Sequence, residues 1–469
     1  MQQTQVATEG LALDELAGNF AGELLQSKDA GYDEARAIFN GMIDRRPAVI
    51  ARCTGVADVI AAVNFARDND LVIAVKGGGH GVPGYSVCDD GVMIDLAPMK
   101  GIWVDPERKV VRAQAGLTWG EFDRETQQFG LAVTGGRVPS TGVSGLTLGS
   151  GSGWIERKLG LTADSLLSAD VVLADGSFVT ASEDQNPDLF WGLRGGSGNF
   201  GIVTSFEFAL HEFGPIVYGG LMAFPRPVAG ELVRVLRSVM EDAPDDLGVN
   251  LAFITAPPEP FVPEEARGQP AVALVICWSG DMDEGEEKVK PFRDMGPVLD
   301  IVGPIPYAQG VQRLIEPGNR SGLQNYWKAD FLDELTDDAI DTLIEQVNKA
   351  KSPFTQVILE PLGGAIARVD EDAMALGNRD AAYTFHAIAM WEDPSEDDVH
   401  VGWAKDLGAA MDRFTVPGVY LNYTSDQVEQ DRVESTYGSK YDRLVALKDR
   451  YDPDNLFRLN ANIKPSGKS

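Results

Sequence analysis

Along the first half of the chain, apolar positions recur in short bursts punctuated by glycine. Val56, Val59, Ile60 and Val63 fall at helical spacing, which predicts a helix between a strand at Val49–Arg52 and a second strand at 71–75. Further short strands are expected at Val92–Asp95, 103–105 and 110–113. Thr118 with Glu121 forms a capping box opening a helix that runs toward Phe129. The apolar runs 171–174 and 178–180 flank Asp175-Gly176 and read as a hairpin. The region 14–42 is expected to be helical. Near Gly214-Pro215 the glycine clusters give way to longer strands and helices interrupted by proline-rich loops, which marks a second, inserted domain before a C-terminal tail.

Composition narrows the class. At 469 residues with 44% hydrophobic and 24% charged content, the chain can bury two ordinary cores. A net charge of −31 argues against nucleic acid as a partner, since phosphates would be repelled. Acidic clusters at Asp245-Asp246, 284–287 and 393–398 read as solvated surface and hint at salt adaptation. Three scattered cysteines suggest a reduced compartment without disulfides. The start, Met1-Gln2-Gln3-Thr4-Gln5, lacks the basic and apolar segments of a secretory signal, and no apolar run has membrane-spanning length; the expectation is a cytoplasmic protein with no membrane partner. The four histidines are dispersed, so no metal site is expected.

Candidate chemistry sits in three glycine-rich loops. The first, Lys76-Gly77-Gly78-Gly79-His80-Gly81, follows an apolar strand and puts a histidine inside a backbone cradle able to hold phosphate. The second spans 135–153 and includes Val138, Ser140, Thr141, Gly142, Gly145 and Gly149. The third contains Gly196, Gly198 and Gly201, which spell G-x-G-x-x-G. That fingerprint needs a following helix, and Ile202-Val203-Thr204-Ser205-Phe206 alternates like a strand, so a Rossmann site is rejected. Three separate loops suggest one extended ligand threaded between them.

In this order, with Tyr420-Leu421-Asn422-Tyr423 and the tail segment from Tyr451 to Asn460, the motifs resemble the berberine-bridge-enzyme-like flavoprotein oxidases of the vanillyl-alcohol-oxidase type. The resemblance spans nearly the whole chain. It implies an α+β fold: a two-subdomain PCMH-type FAD-binding domain over 1–212, an inserted α+β substrate domain with an antiparallel sheet flanked by helices over 213–412, and a C-terminal segment over 413–469 returning to the first domain. It further implies FAD bound by Lys76, Gly77, Gly78, Gly79, His80, Gly81, Ser140, Thr141, Gly142, Gly145, Gly149, Gly198, Gly201, Ile202, Val203, Asn460 and Asn462, with His80 joined covalently to the flavin. Many relatives carry a second, cysteinyl link where this chain has Val138, so that link is expected to be absent. Cys88 reads as a small buried residue. Thr141 stands where the family gates oxygen.

The family's base matches Tyr423, a phenol that must be helped by a cation or strong hydrogen bonds to act near neutral pH. Substrate-side candidates are Tyr326, Lys328, Glu360, Tyr383, His386 and Trp391, with the 383–391 stretch read as a strand presenting one face to a cavity. The expected activity is an FAD-dependent oxidase of alcohols or sugars, passing hydride to the flavin and electrons to O2 to give hydrogen peroxide, in a monomer or homodimer. A dehydrogenase using another acceptor, a tailoring enzyme for a secondary metabolite and a catalytically idle flavin-binding protein remain as alternatives.

Overall fold

In the computed structural model, which describes residues 13–425 and 430–467, the apolar bursts of the first half close into two sheets. Residues 1–5, read above for a signal, lie outside the described residues. The first sheet holds β1 (Glu23–Leu25), β2 (Val49–Arg52), β3 (Ile73–Lys76) and β4 (Val92–Asp95) in the order β1-β2-β4-β3. Strands β2, β4 and β3 are parallel, so a crossover is required, and the helix Val56–Asp68 supplies it. That helix buries Val59, Ala62, Val63 and Ala66 against the sheet. Strand β3 therefore stops with Lys76 at the carboxyl edge of a parallel sheet, where ligands of open α/β sheets bind.

The second sheet is antiparallel. It comprises β5 (Ile102–Asp105), β6 (Val110–Gln114), β8 (Leu166–Val172), β9 (Phe178–Ser182) and β10 (Ile202–Ala209), ordered β5-β6-β10-β8-β9; β7 (Leu131–Ala132) pairs separately with β11 (His211–Glu212). The expected capping box at Thr118 and Glu121 is formed at the head of the helix Trp119–Thr126, and a 3-10 turn carries it to Phe129. The residues after Gly201 are strand β10, which is why the G-x-G-x-x-G string is no dinucleotide fingerprint.

The remaining strands form one eight-stranded antiparallel sheet: β12 (Ile216–Pro225), β13 (Leu247–Thr255), β14 (Pro270–Trp278), β15 (Leu299–Asp300), β16 (Gly303–Pro306), β17 (Gln324–Leu332), β18 (Gln356–Pro361) and β19 (Tyr383–Trp391). Its order is β15-β12-β14-β13-β18-β19-β17, with β16 beside β12. Helices Ala229–Glu241, Asp337–Val347 and Asp397–Met411 bury Leu232, Leu236, Ile340, Leu343 and Leu407 on one face. The other face is left for the glycine loops. The chain then returns: Leu444 and Leu447 of the helix Tyr441–Tyr451, with Phe457 and Ile463, join the core built on Val49 and Phe206.

One expectation is corrected. The region 14–42 is not a helical unit but two short helices, Leu13–Gly18 and Tyr32–Arg36, around β1. Glycines at 18, 22 and 31 break the run, and Gly31 has a positive φ of 86° that a helix cannot absorb. Among the described residues, no helix is long and apolar enough to cross a membrane.

Candidate active site

Sequence made the first glycine loop a cradle, and packing shows why side chains are excluded from it. Gly78 and Gly142 bring two loops into backbone contact: a Cβ on Gly78 would lie 2.4 Å from the Gly142 nitrogen, and one on Gly142 would lie 2.3 Å from the Gly78 nitrogen. The loops thus meet edge to edge beneath a cavity of about 340 Å³. Gly145 and Gly198 line this cavity, and a Cβ on either would meet no protein atom within 4 Å. Added side chains there would enter the cavity itself. Gly77, Gly79, Gly81, Thr141, Gly201, Ile202, Val203 and Asn460 share the lining, so segments far apart in sequence converge on one elongated space. These residues fit a large, partly planar phosphate-bearing ligand such as FAD.

His80 stands in the lining with its ring stacked on Phe39, centroids 4.1 Å apart, and its Nε2 3.4 Å from Ser140 Oγ. Enclosure pushes its titration down to about 4, so at neutral pH the ring is uncharged and keeps a nucleophilic nitrogen. Val138 is buried and also lines the cavity.

In the same lining a buried charge cluster surrounds Arg137. Its Nη1 donates to the Tyr423 phenol at 2.8 Å and to Ser152 Oγ at 2.9 Å, and stands 3.2 Å from Glu360 Oε1. Its Nη2 donates to Glu156 Oε1 at 3.0 Å. Asn250 donates a further bond to Glu360 Oε1 at 3.3 Å. Burial alone would pull the guanidinium's affinity for its proton down, yet Glu360, Tyr423 and Glu156 outweigh it and Arg137 stays charged. Two carboxylates facing one guanidinium leave an excess negative charge in a dry place. Glu360 responds: burial raises it most, Arg137 lowers it and Glu156 raises it again, to about 7. Tyr423 is pushed well above the usual phenol value, first by burial and then by Glu360, with Arg137 opposing. The phenol is therefore protonated in this state, and the group that titrates near neutrality is Glu360.

The ring of Tyr423 stacks on His386, centroids 4.2 Å apart and planes 11° from parallel. Burial and Arg137 push His386 down to about 3, so it is a neutral ring, edge-on to Trp327. Its Nε2 has no hydrogen-bond partner among the described residues. Tyr423 is not on a strand; it ends the 3-10 turn Leu421–Tyr423. Asn422 pins this turn to the second glycine loop by donating to the carbonyls of Leu146 and Gly149, each at 3.2 Å.

The proposed site residues thus separate into two groups. Glu360, His386 and Tyr423 face the cavity with the glycine loops. Tyr326, Tyr383 and Trp391 do not: they belong to the core beneath the helices, on the far side of the sheet. Register gives the reason. Glu360 pairs with Thr384 and Ile358 with His386, so the odd-numbered residues of β19 turn away. Lys328, opposite Ala387, sits against Gly408 of the covering helix. These four are corrected from substrate contacts to packing residues. The Lys76 ammonium is also elsewhere, donating to the carbonyls of Ala35 at 2.6 Å and Ala37 at 3.0 Å. Gly149 abuts Asn422, and Asn462 is outside the cavity lining. Arg137 and Glu156 carry the site although the sequence did not mark them; the signal available for Arg137 was a cation following two glycines.

Comparison with known proteins finds similar chains among FAD-linked oxidoreductases. A family described as FAD binding domain matches residues 47–182, and one described as berberine and berberine like matches 419–464. An FAD-linked oxidoreductase of Dictyostelium discoideum is 31% identical over 89% of this chain and 89% of its own length. The (R)-6-hydroxynicotine oxidase of Paenarthrobacter nicotinovorans is 31% identical over 95% of this chain and 97% of its own. The crystal structure of 6-hydroxy-D-nicotine oxidase from Arthrobacter nicotinovorans has a TM-score of 0.85 at 29% identity, covering 95% of this chain and 98% of that one.

Proposed function

Since this chain belongs to the berberine-bridge-enzyme-like FAD-linked oxidoreductases, we propose that it is an FAD-dependent oxidase of alcohol or sugar-type substrates, with O2 as acceptor and hydrogen peroxide as product. The observation that carries this reading is the convergence of the glycine cradle and the Tyr423–Arg137–Glu360 cluster on one cavity. FAD, when bound, supplies a hydride acceptor that O2 can regenerate. Gly77 to Gly81 and Gly142 would hold its phosphates through backbone N–H groups, and His80 would be its covalent tether. Val138 offers no second attachment.

The protein's own task is the proton. A substrate hydroxyl set against Tyr423 loses its proton to the phenol oxygen as the Tyr423 proton passes to Glu360. Arg137 bonds the phenol oxygen and stands 3.2 Å from the Glu360 carboxylate as its ion-pair partner, so its charge steadies whichever of the two is negative. The neutral ring of His386 fixes the plane of Tyr423 by stacking. Ile358, Ile388 and Trp327 form the remainder of this wall, so within the alcohol class a ring-bearing or apolar substrate is favoured over a long oligosaccharide. The similarity to (R)-6-hydroxynicotine oxidase favours a second reading, in which an amine takes the place of the alcohol.

The test is anaerobic mixing with a panel of alcohols, sugars, phenols and cyclic amines, read as bleaching of the flavin. An active compound should bleach Tyr423→Phe about 10²-fold more slowly or worse than wild type, the usual loss for a proton-transfer group. Equal rates would remove Tyr423 from the reaction. Peroxide formed in air at one equivalent per substrate supports the oxidase; turnover only with an artificial acceptor points to a dehydrogenase.

A further inference from the structure

A second, smaller cavity of about 30 Å³ adjoins the active site. Glu360 and Ser152 line both spaces; Thr384, Arg379 and Asn378 line only the smaller one. The volume suits one or two waters; most of the lining is apolar, and Glu360, Glu156, Ser152 and Thr384 are the polar groups that a water there would meet. Among the described residues, two buried atoms here lack a hydrogen-bond partner, Glu360 Oε2 and Thr384 Oγ1. The residues are only 1% and 3% exposed, and they stand directly opposite each other in the β18–β19 register, side chains on one face. A buried carboxylate oxygen left bare costs about 1–3 kcal/mol, which a bridging water removes.

The other charges around Glu360 are already committed. Arg137 faces Glu360 from the main cavity, with Tyr423 and the neutral His386, while Glu156 and Tyr420 line the small cavity, Glu156 paired to Arg137 at 3.0 Å. Arg379 is locked to Asp164 at 2.6 Å, so it does not neutralise Glu360. Beyond the small cavity, Gly377 and Asn378 are only half-buried. With a cofactor and substrate filling the main cavity, the smaller one is the open side of Glu360.

We propose that this second cavity holds water and is the proton outlet of the site, connecting Glu360 to solvent past Thr384 and Asn378. The inference rests on the reading above that Glu360 receives the substrate's proton. In the discharge step the Glu360 O–H bond breaks and its proton passes to the cavity water, which releases one of its own toward the surface. Glu360 returns to the carboxylate. The electron pair of the substrate C–H bond has left separately as hydride to the flavin, so nothing further is oxidised or reduced. Such an outlet lets the substrate face stay dry while protons leave from behind.

The test uses the FAD-loaded protein at pH 6 and needs no substrate. Infrared spectra on transfer to D2O follow the protonated-carboxyl band that Glu360→Gln abolishes. In wild type this band should shift within the mixing time. In Thr384→Leu, which fills the cavity, the shift should be at least tenfold slower. An equal rate in the two proteins, or no band lost in Glu360→Gln, overturns the outlet. A high-resolution crystal structure of wild type gives an arm independent of variant folding: ordered water bonded to Glu360 Oε2 and Thr384 Oγ1 supports it, and a dry cavity overturns it. Failure of the functional reading shows separately, as undiminished flavin bleaching by Tyr423→Phe alongside fast exchange.

Discussion

Arg137 holds three oxygens from three other chain regions in a nearly dry pocket, so its removal strands two buried carboxylates. Breaking a buried pair from one side costs about 3–5 kcal/mol, and Arg137→Met should lower the denaturation midpoint accordingly and restore little when Glu360→Gln is added, because Glu156 stays unpaired. Asp123 is a second buried carboxyl, bonded by Gln312 Nε2 at 2.6 Å with its other oxygen bare. Burial pushes it up to about 7, with the Gln312 bond opposing. The sign follows: the folded state binds this proton more tightly than the unfolded chain, so stability is highest at acidic pH and declines as pH rises from the ordinary carboxyl range toward 7. Asp123→Asn should therefore stabilise the protein at pH 8 by up to roughly 4 kcal/mol and do little at pH 4, as read by denaturant melts at the two pH values. Equal effects at both would contradict the assignment.

At the level of elements, the glycine loops act through two different mechanisms that two substitutions separate. Gly78→Ala drives a methyl into the Gly142 backbone and should cost stability with or without cofactor. Gly145→Ala meets no protein atom, so the flavin-free protein should melt as wild type does while flavin content falls. These loops were legible in the sequence because glycine repeats have few other uses at that density, and so were β2, β4, the capping box and the strand after Gly201. Other features were hidden. Which face of β19 meets the cavity depends on register with β18, and both faces are buried, so alternation gave no distinction between His386 and Tyr383. Arg137 is marked only by its partners, which lie 15 to 286 residues away.

Across the whole molecule, the acidic composition has a measurable consequence. A net charge of −31 repels itself within the folded state, and salt screens it over a length that shrinks from about 30 Å at 0.01 M to about 3 Å at 1 M. The melting temperature should rise with NaCl across that range; a flat or falling profile would show that the acidic side chains are too dispersed to strain the fold. The core arrangement also explains why the tail belongs to the cofactor side. Lys448, fully buried, bonds Asp452 at 2.7 Å and the carbonyls of Asn199 and Phe457, which brings Asn460 to the cavity. All of this architecture serves one claim, that the cradle holds FAD and that His80 alone tethers it. Peptide mass analysis of acid-denatured protein tests it most directly: flavin mass should be found on the peptide containing His80 and on no other, and be lost in His80→Ala. Flavin released entirely on denaturation of wild type, or found on a peptide without His80, would contradict the account.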